Sequence, residues 1–120
     1  MKRLTKLYRV TENQTALQMG SGDLEVLATP ALVAMMENCA KLLIAPELSA
    51  EHTSVGFKME LKHLAPTAVD SEVKVEAQIE EADKNKISFS IKAFEKEHLI
   101  GEAFHQRVIV ETAAFLKKLK

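Results

Sequence analysis

The 120-residue sequence contains no tryptophan, and aromatic residues make up only 5% of the chain. Proteins that bind single-stranded nucleic acid stack the bases on aromatic side chains, so this scarcity argues against such a function. An excess of one charge is also missing, because 16 basic residues are balanced by 17 acidic ones and the net charge is −1. A broad electrostatic surface for nucleic acid is therefore not expected.

Only one cysteine, Cys39, is present. It excludes an internal disulfide and a zinc site built from cysteines, and it is typical of a reducing, cytoplasmic setting. No apolar run reaches the roughly 18 residues of a membrane-spanning helix. The basic N-terminus is not followed by the apolar stretch of a signal peptide. We therefore expect neither a membrane nor a nucleic-acid partner.

Hydrophobic residues make up 47% of the chain and charged residues 28%. These proportions are those of an ordinary globular protein. A chain of this length can enclose one hydrophobic core but not two, so we expect a single domain over residues 1–120.

One central helix is predicted over residues 29–46. Thr29 is a suitable N-cap, and Pro30 suits the first helical position, where no amide hydrogen is needed. Pro46 ends the helix, because proline disfavours α geometry in the residue before it. The residues between these ends are apolar on nearly every side, so we expect the helix to be buried.

Much of the remaining sequence alternates between apolar and polar residues with the period of a β-strand. The predicted strands span residues 3–10, 23–28, 54–62, 72–80, 86–93 and 99–111. A polar loop is expected over 11–22, and a solvated tail over 115–120. The last strand has a less regular pattern, which indicates either burial of both faces or a bulge.

This order predicts an α+β fold in which an antiparallel β-sheet wraps around one long central helix. Such a sheet has exposed edges, and one helix covers only part of it. Pairing with a second copy would cover both surfaces, so we expect a homodimer or a dimer of dimers.

Glu37 lies in the middle of the apolar helix. One interpretation is an ion pair with Lys41, one turn further on, which would place both residues on a solvated stripe. The neighbouring residues Met36, Asn38 and Cys39 are not those of a solvent-facing surface. A glutamate in an apolar pocket suits a general base or an acyl nucleophile, which is the second interpretation.

Two further residues are candidates for chemistry. The apolar positions of its predicted strand are 55, 57, 59 and 61, and His63 continues this series of every second residue. It should therefore face the helix, either as a core histidine or beside Glu37. Thr29 is either only the helix cap or part of a site. Eight residues of helix separate Thr29 from Glu37, a rise of about 12 Å. Either the preceding chain folds back, or Glu37 meets Thr29 of a second subunit, which we favour.

Three stretches of the sequence carry a resemblance to a known family. They are TPALVAMME from Thr29 to Glu37, SVGFKMELKH from Ser54 to His63, and GEAFHQR from Gly101 to Arg107. The chain resembles the hot-dog-fold acyl-CoA thioesterases, and within them the fluoroacetyl-CoA thioesterase-like group. That group has a threonine before its helix, a glutamate eight residues later and a histidine 26 residues beyond, and all three are matched here without a gap.

The resemblance implies a role for each matched residue. Glu37 would attack the thioester carbonyl or activate water, His63 would orient a group or carry a proton to the leaving thiolate, and Thr29 would hydrogen-bond the glutamate or substrate. Gly56 matches a glycine whose amide helps to form the oxyanion hole. Arg107 would be a structural or substrate-phosphate contact.

The match leaves some features of the family uncovered. His105 matches the group's His-x-Arg pattern and has no assigned role. The phenylalanine-bearing lid of the fluoroacetyl-specific member has no counterpart before Thr29, so fluoroacetyl selectivity is not implied.

The sequence thus predicts a thioesterase that hydrolyses a small or medium acyl-CoA to the free acid and coenzyme A, with no metal and no cofactor. The alternative is a protein of the same fold that binds an acyl-CoA or acyl ligand without catalysis. A cone-shaped isomerase fold is less favoured, since it begins with helices, whereas this chain begins with strand-like sequence.

Overall fold

The computed structural model describes residues 2–119, and it contains the predicted first strand, central helix and four C-terminal strands in that order. The strands are β1 (Arg3–Arg9), β2 (His52–His63), β3 (Glu72–Asp83), β4 (Lys86–Glu95) and β5 (His98–Glu111). The α-helices are α1 (Ala16–Met19), α2 (Thr29–Ile44) and α3 (Thr112–Leu116), and short 3₁₀ helices span Glu12–Gln14 and Ala45–Glu47.

The five strands form one antiparallel sheet in the order β1-β3-β4-β5-β2, so β1 and β2 are its edges. Helix α2 packs against one face of this sheet and contacts β1, β2, β3 and β4. The core lies between them and is fully closed to solvent at Leu32, Met36, Cys39, Val73, Val75, Ala77 and Phe89. The predicted α+β fold, an antiparallel sheet around a central helix, is confirmed.

The beginning of α2 differs from the prediction. Ala28, in an extended conformation, is the N-cap, and Thr29 is already the first helical residue. The Ala28 amide donates to the Gln14 carbonyl and its own carbonyl accepts from the Leu32 amide, both through backbone atoms. The prediction that Thr29 caps the helix was wrong, because its hydroxyl is hydrogen-bonded to a histidine instead.

Burial of α2 on nearly every side was also predicted wrongly. Pro30, Ala34 and Lys41 are exposed, and Glu37 is half-buried. Their spacing places them along one side of the helix. These four residues are called the open stripe below.

A β-bulge in β2 changes which residues face the helix. Gly56 pairs with Arg107 of β5, but Lys58 pairs with Gln106, so Phe57 is an extra residue without a partner. The predicted alternation placed Val55 and Phe57 on the same side as His63. That was wrong for these two, since Phe57 is 60% exposed. The bulge turns Gly56 toward the helix in their place.

Three other segments differ from the prediction. Residues 23–28 form only isolated bridges at Val26 and Leu27 rather than a strand. The expected loop over 11–22 contains α1, which Gly20 ends at a φ of 75°. The tail begins as α3, because the Glu111 side chain accepts from an amide of its first turn.

The bulge interpretation of β5 is confirmed, with Ile100 as the unpaired residue.

Candidate active site

Thr29 and His63 meet where α2 begins and β2 ends. The Thr29 hydroxyl oxygen lies 2.8 Å from His63 Nδ1. Among residues 2–119, His63 Nε2 is buried and has no hydrogen-bond partner. Burial lowers the pKa of His63 below its usual value, because the charged imidazolium loses solvation. The neutral imidazole is therefore favoured over the imidazolium.

An open cavity of about 290 Å³ adjoins this Thr29–His63 pair. Besides the pair, its walls include Ala16, Leu64, Pro66 and the polar Ser21, so apolar and polar groups line it in similar proportion. A concave surface on which several polar groups converge is a candidate small-molecule site.

Glu37 lies further along α2 and faces Gly56 of β2. A β-carbon built at residue 56 would be 2.8 Å from Glu37 Oε2, closer than side chains pack. A side chain at residue 56 would therefore displace the end of the Glu37 side chain from this position. Among residues 2–119, neither Glu37 nor Lys41 takes part in a salt bridge, so the Glu37–Lys41 ion pair does not form.

The residues that follow Glu37 fix its turn of the helix to β1. The Tyr8 hydroxyl donates to Asn38 Oδ1 at 2.6 Å, and the Cys39 thiol donates to the Leu4 carbonyl at 3.4 Å. Burial raises the pKa of Tyr8 to about 12, so the phenol keeps the proton it donates. These contacts anchor the side of α2 next to Glu37 and leave the carboxylate facing β2.

Arg107 of β5 lies close to Gly56, where a β-carbon would be 3.9 Å from its Nη1, and it is only 6% exposed. Its Nε donates to Ser54 Oγ at 2.8 Å and its Nη2 to the Ser54 carbonyl at 3.0 Å. Its Nη1 lies 3.2 Å from His105 Nε2. Burial lowers the pKa of Arg107, and the Glu37 carboxylate opposes that shift. The two charges therefore act on each other.

His105 completes this group and is fully buried. Its Nδ1 lies 2.8 Å from the Lys58 carbonyl oxygen, and its ring stacks on Phe89 with centroids 5.8 Å apart. Burial lowers the pKa of His105; the Lys58 carbonyl and Glu37 act in the opposite direction, while Arg107 adds to the lowering.

The predicted site residues thus fall into two groups within one chain. The first is the Thr29–His63 pair, and the second, called the Glu37 cluster, contains Glu37, Gly56, His105 and Arg107. The eight helical residues from Thr29 to Glu37 correspond to a rise of about 12 Å. Sequence reasoning gave His105 no role, although its spacing from Arg107 places both on one strand face. Ser54 was missed altogether, since the bulge reverses its expected side.

No group of three metal-binding side chains is found in the described part of the chain. No helix within residues 2–119 is long and apolar enough to cross a membrane.

A comparison with protein families matches residues 10–113 to the family described as fluoroacetyl-CoA-specific thioesterase. The chain belongs to this family. The predicted resemblance is confirmed, and so is the prediction of an acyl-CoA thioester hydrolase.

Individual relatives agree with the family assignment. The fluoroacetyl-CoA thioesterase of Streptantibioticus cattleyicolor is 27% identical over 96 residues, which cover 80% of this chain and 69% of the relative. A thioesterase superfamily member from Thermus thermophilus is 27% identical with a TM-score of 0.88, covering 98% of this chain and 89% of its own.

Two further solved structures share the fold. A hot-dog-like protein from Thermanaerovibrio acidaminovorans has a TM-score of 0.88 at 21% identity, with 98% and 87% of the two chains covered. A mutant of the fluoroacetyl-CoA-specific thioesterase, in complex with fluoroacetate and CoA, has a TM-score of 0.91 at 24% identity, with 95% and 96% covered. The hot-dog fold predicted for this family member is confirmed.

Proposed function

We propose that this protein is a homodimeric thioesterase that hydrolyses a small or medium acyl-CoA to the free acid and coenzyme A. Glu37 is the base or nucleophile, and Thr29 and His63 assist it. The observation that carries the proposal is the close approach of the Glu37 carboxylate to Gly56.

Glu37 has the position that thioester hydrolysis requires. Its half-buried carboxylate is directed at the backbone of β2, where Gly56 presents no side chain. A flat thioester group can approach such a backbone closely, and an amide there stabilises the oxyanion that forms when the carbonyl is attacked. The carboxylate either attacks the carbonyl carbon itself or removes a proton from the attacking water.

The Thr29–His63 pair supplies the second function of the site. Its imidazole is held by the Thr29 hydroxyl and is kept neutral by burial. A neutral imidazole is able to relay a proton to the leaving thiolate of coenzyme A, and a threonine hydroxyl is able to orient the substrate or the reacting glutamate.

A homodimer explains how the two groups act on one thioester. The Thr29–His63 pair and the Glu37 cluster are more than two helical turns apart in one chain. The open stripe leaves one side of α2 unpacked, and β2, which contacts α2, is an edge strand of the described sheet. A two-fold axis at this surface places equivalent patches against each other. Glu37 of one subunit then joins Thr29 and His63 of its partner.

The acyl group is proposed to be small or medium in size. The open cavity of about 290 Å³ beside Thr29 and His63 has room for an acyl group of this size. Residues 11–28, which border it, contain no phenylalanine. Fluoroacetyl selectivity is therefore not transferred from the relatives. A cytoplasmic location stays a prediction that rests on the single, buried Cys39.

The test is thiol release from a panel of acyl-CoAs of increasing chain length, with Glu37→Gln beside the parent protein. Loss of a base or nucleophile should lower kcat by at least about a hundredfold. Glu60→Gln, which removes a carboxylate from an exposed position of β2, is the matched control.

Two results would overturn the proposal. Activity of Glu37→Gln within a few-fold of the parent would exclude the proposed role of the glutamate. Thermal stabilisation of the parent by acyl-CoA without thiol release would instead indicate the non-catalytic binding protein.

A further inference from the structure

We propose that His105 is a positioning residue: it holds the Arg107 guanidinium beside the Glu37 carboxylate and acts on the reaction through Arg107. The inference rests on the proposed role of Glu37 as base or nucleophile. It gives a function to two buried polar side chains, His105 and Ser54, to which neither the motif nor the fold assigns one.

The guanidinium is held on three sides. Nε and Nη2 donate to the hydroxyl and the carbonyl of Ser54 at 2.8 and 3.0 Å, and Nη1 contacts His105 Nε2 at 3.2 Å. A guanidinium is planar and has five N–H groups. Three contacts therefore fix its plane and leave one hydrogen each on Nη1 and Nη2.

Nη1 is the guanidinium atom nearest the β-carbon position of Gly56, which the carboxylate also approaches. The position of a β-carbon at Gly56 lies 3.9 Å from Arg107 Nη1 and 2.8 Å from Glu37 Oε2. Both atoms thus border the same small space in front of Gly56. A fixed positive charge there stabilises the negative charge of Glu37 and the charge that a thioester oxygen gains when it is attacked.

The contact between His105 and Arg107 determines the tautomer of the histidine. Every nitrogen of a guanidinium is a donor, so His105 Nε2 has to accept. The hydrogen of the neutral ring is then on Nδ1, where it is donated to the Lys58 carbonyl at 2.8 Å. A second hydrogen on Nε2 would point at Arg107, so only the neutral Nδ1–H form holds the guanidinium.

The surroundings of His105 leave the ring little freedom. Phe89 of β4 stacks on it at 5.8 Å, and β2 contributes the Lys58 carbonyl next to the bulge. The charged groups near it are Arg107 on its own strand and Glu37 on α2. The bulge at Phe57 makes the contacts of Arg107 possible, because it brings Ser54 and Gly56 to the side of the sheet where Arg107 lies.

The experiment compares His105→Phe, which keeps an aromatic ring against Phe89 but accepts no hydrogen bond, with His105→Gln, whose amide oxygen is able to accept near the position of Nε2. We expect His105→Phe to lower kcat at least about tenfold with little change in KM, because misplacing a group by ~1 Å lowers rates this strongly. His105→Gln should retain kcat within about threefold.

A double-mutant cycle with Arg107→Gln separates positioning from a purely structural role. If His105 acts through Arg107, adding His105→Phe to Arg107→Gln lowers kcat no further. The same loss in both backgrounds would overturn the proposal, as would equal losses for His105→Phe and His105→Gln.

A measurement without turnover keeps the proposal testable if the variants fold poorly. The ¹⁵N chemical shifts of His105 in the parent protein should indicate the Nδ1–H tautomer, and the Nε2–H tautomer would contradict the inference. If the parent releases no thiol from any acyl-CoA, the proposed function fails, and the tautomer still decides whether Arg107 is held by His105.

Discussion

The Glu37 carboxylate lies against Gly56, with Oε2 only 2.8 Å from the place where a β-carbon at residue 56 would be. Replacement of Gly56 by alanine should therefore displace the carboxylate from its position. Because Gly56 has no left-handed φ, alanine fits the backbone itself. We expect Gly56→Ala to lower kcat at least about tenfold while the melting temperature changes little.

Gly101→Ala is the matched control, because Gly101 also faces α2. A β-carbon there would meet Leu32 Cδ2 at 3.0 Å and Met36 Cε at 3.5 Å, which belong to the core. This variant should lose stability but keep kcat per folded molecule. Equal activities of Gly56→Ala and the parent would show that the carboxylate position is unimportant.

Substitutions of Thr29 distinguish a role of its hydroxyl in catalysis from a role in capping the helix. Loss of a true N-cap destabilises a protein by about 1 kcal/mol, but here Ala28 is the N-cap and the Thr29 hydroxyl bonds to His63. Thr29→Val should thus lower kcat about tenfold or more with almost no change in unfolding free energy. Thr29→Ser, which keeps the hydroxyl, should retain activity; a stability loss in Thr29→Val with full activity would contradict this assignment.

The two histidines of the site, His105 fully buried and His63 half-buried, predict how stability depends on pH. Burial lowers the pKa of both His63 and His105 in the folded protein. The unfolded chain, with a histidine pKa of about 6.5, then binds more protons than the folded protein below that pH. Stability is fully present above about pH 6.5 and falls as the pH drops toward the lowered folded values.

Urea unfolding at several pH values between 5 and 8 measures this dependence. His63→Gln and His105→Gln should each reduce the loss of stability between pH 6.5 and 5, whereas replacement of the exposed His98 should not. An unfolding free energy that rises on acidification through this window would contradict the assignment of both rings as neutral.

The open stripe predicts an effect on assembly. A dimer would have twice the chain mass of 13.3 kDa. Ala34→Arg places a charge on the exposed side of α2 and should yield monomers of reduced activity in light scattering coupled to size-exclusion chromatography. Glu97→Lys, in the exposed turn between β4 and β5, is the control; a dimer unaffected by Ala34→Arg would exclude this surface.

The periodic parts of the sequence predicted the fold well. Apolar alternation located β1 and β2–β5, and the proline-bounded apolar run located α2, because burial of one face imposes these periods on the sequence. The alternation failed at Phe57, where one unpaired residue reverses the side that Val55 and Gly56 face. The alternation of residues 54–62 continues unbroken through this bulge, so the β2 bulge left no signal in the sequence.

The site was predictable only where residue chemistry was unusual for its surroundings. A carboxylate in an apolar helix identified Glu37, whereas Ser54 and His105 are ordinary strand residues until Arg107 is placed between them. The cap was misassigned at Thr29, since a hydroxyl suits both a helix end and a histidine partner. Contacts between segments far apart in the sequence decided these cases, and local sequence patterns do not show such contacts.

The central claim is that one active site combines Glu37 of one subunit with Thr29 and His63 of its partner. Co-expression of two inactive variants, Glu37→Gln and His63→Gln, tests it most directly. Mixed dimers then contain one site with all three native residues, and random pairing should restore about a quarter of the parent activity. No recovery of thiol release in purified mixed dimers would show that the site is not shared in this way.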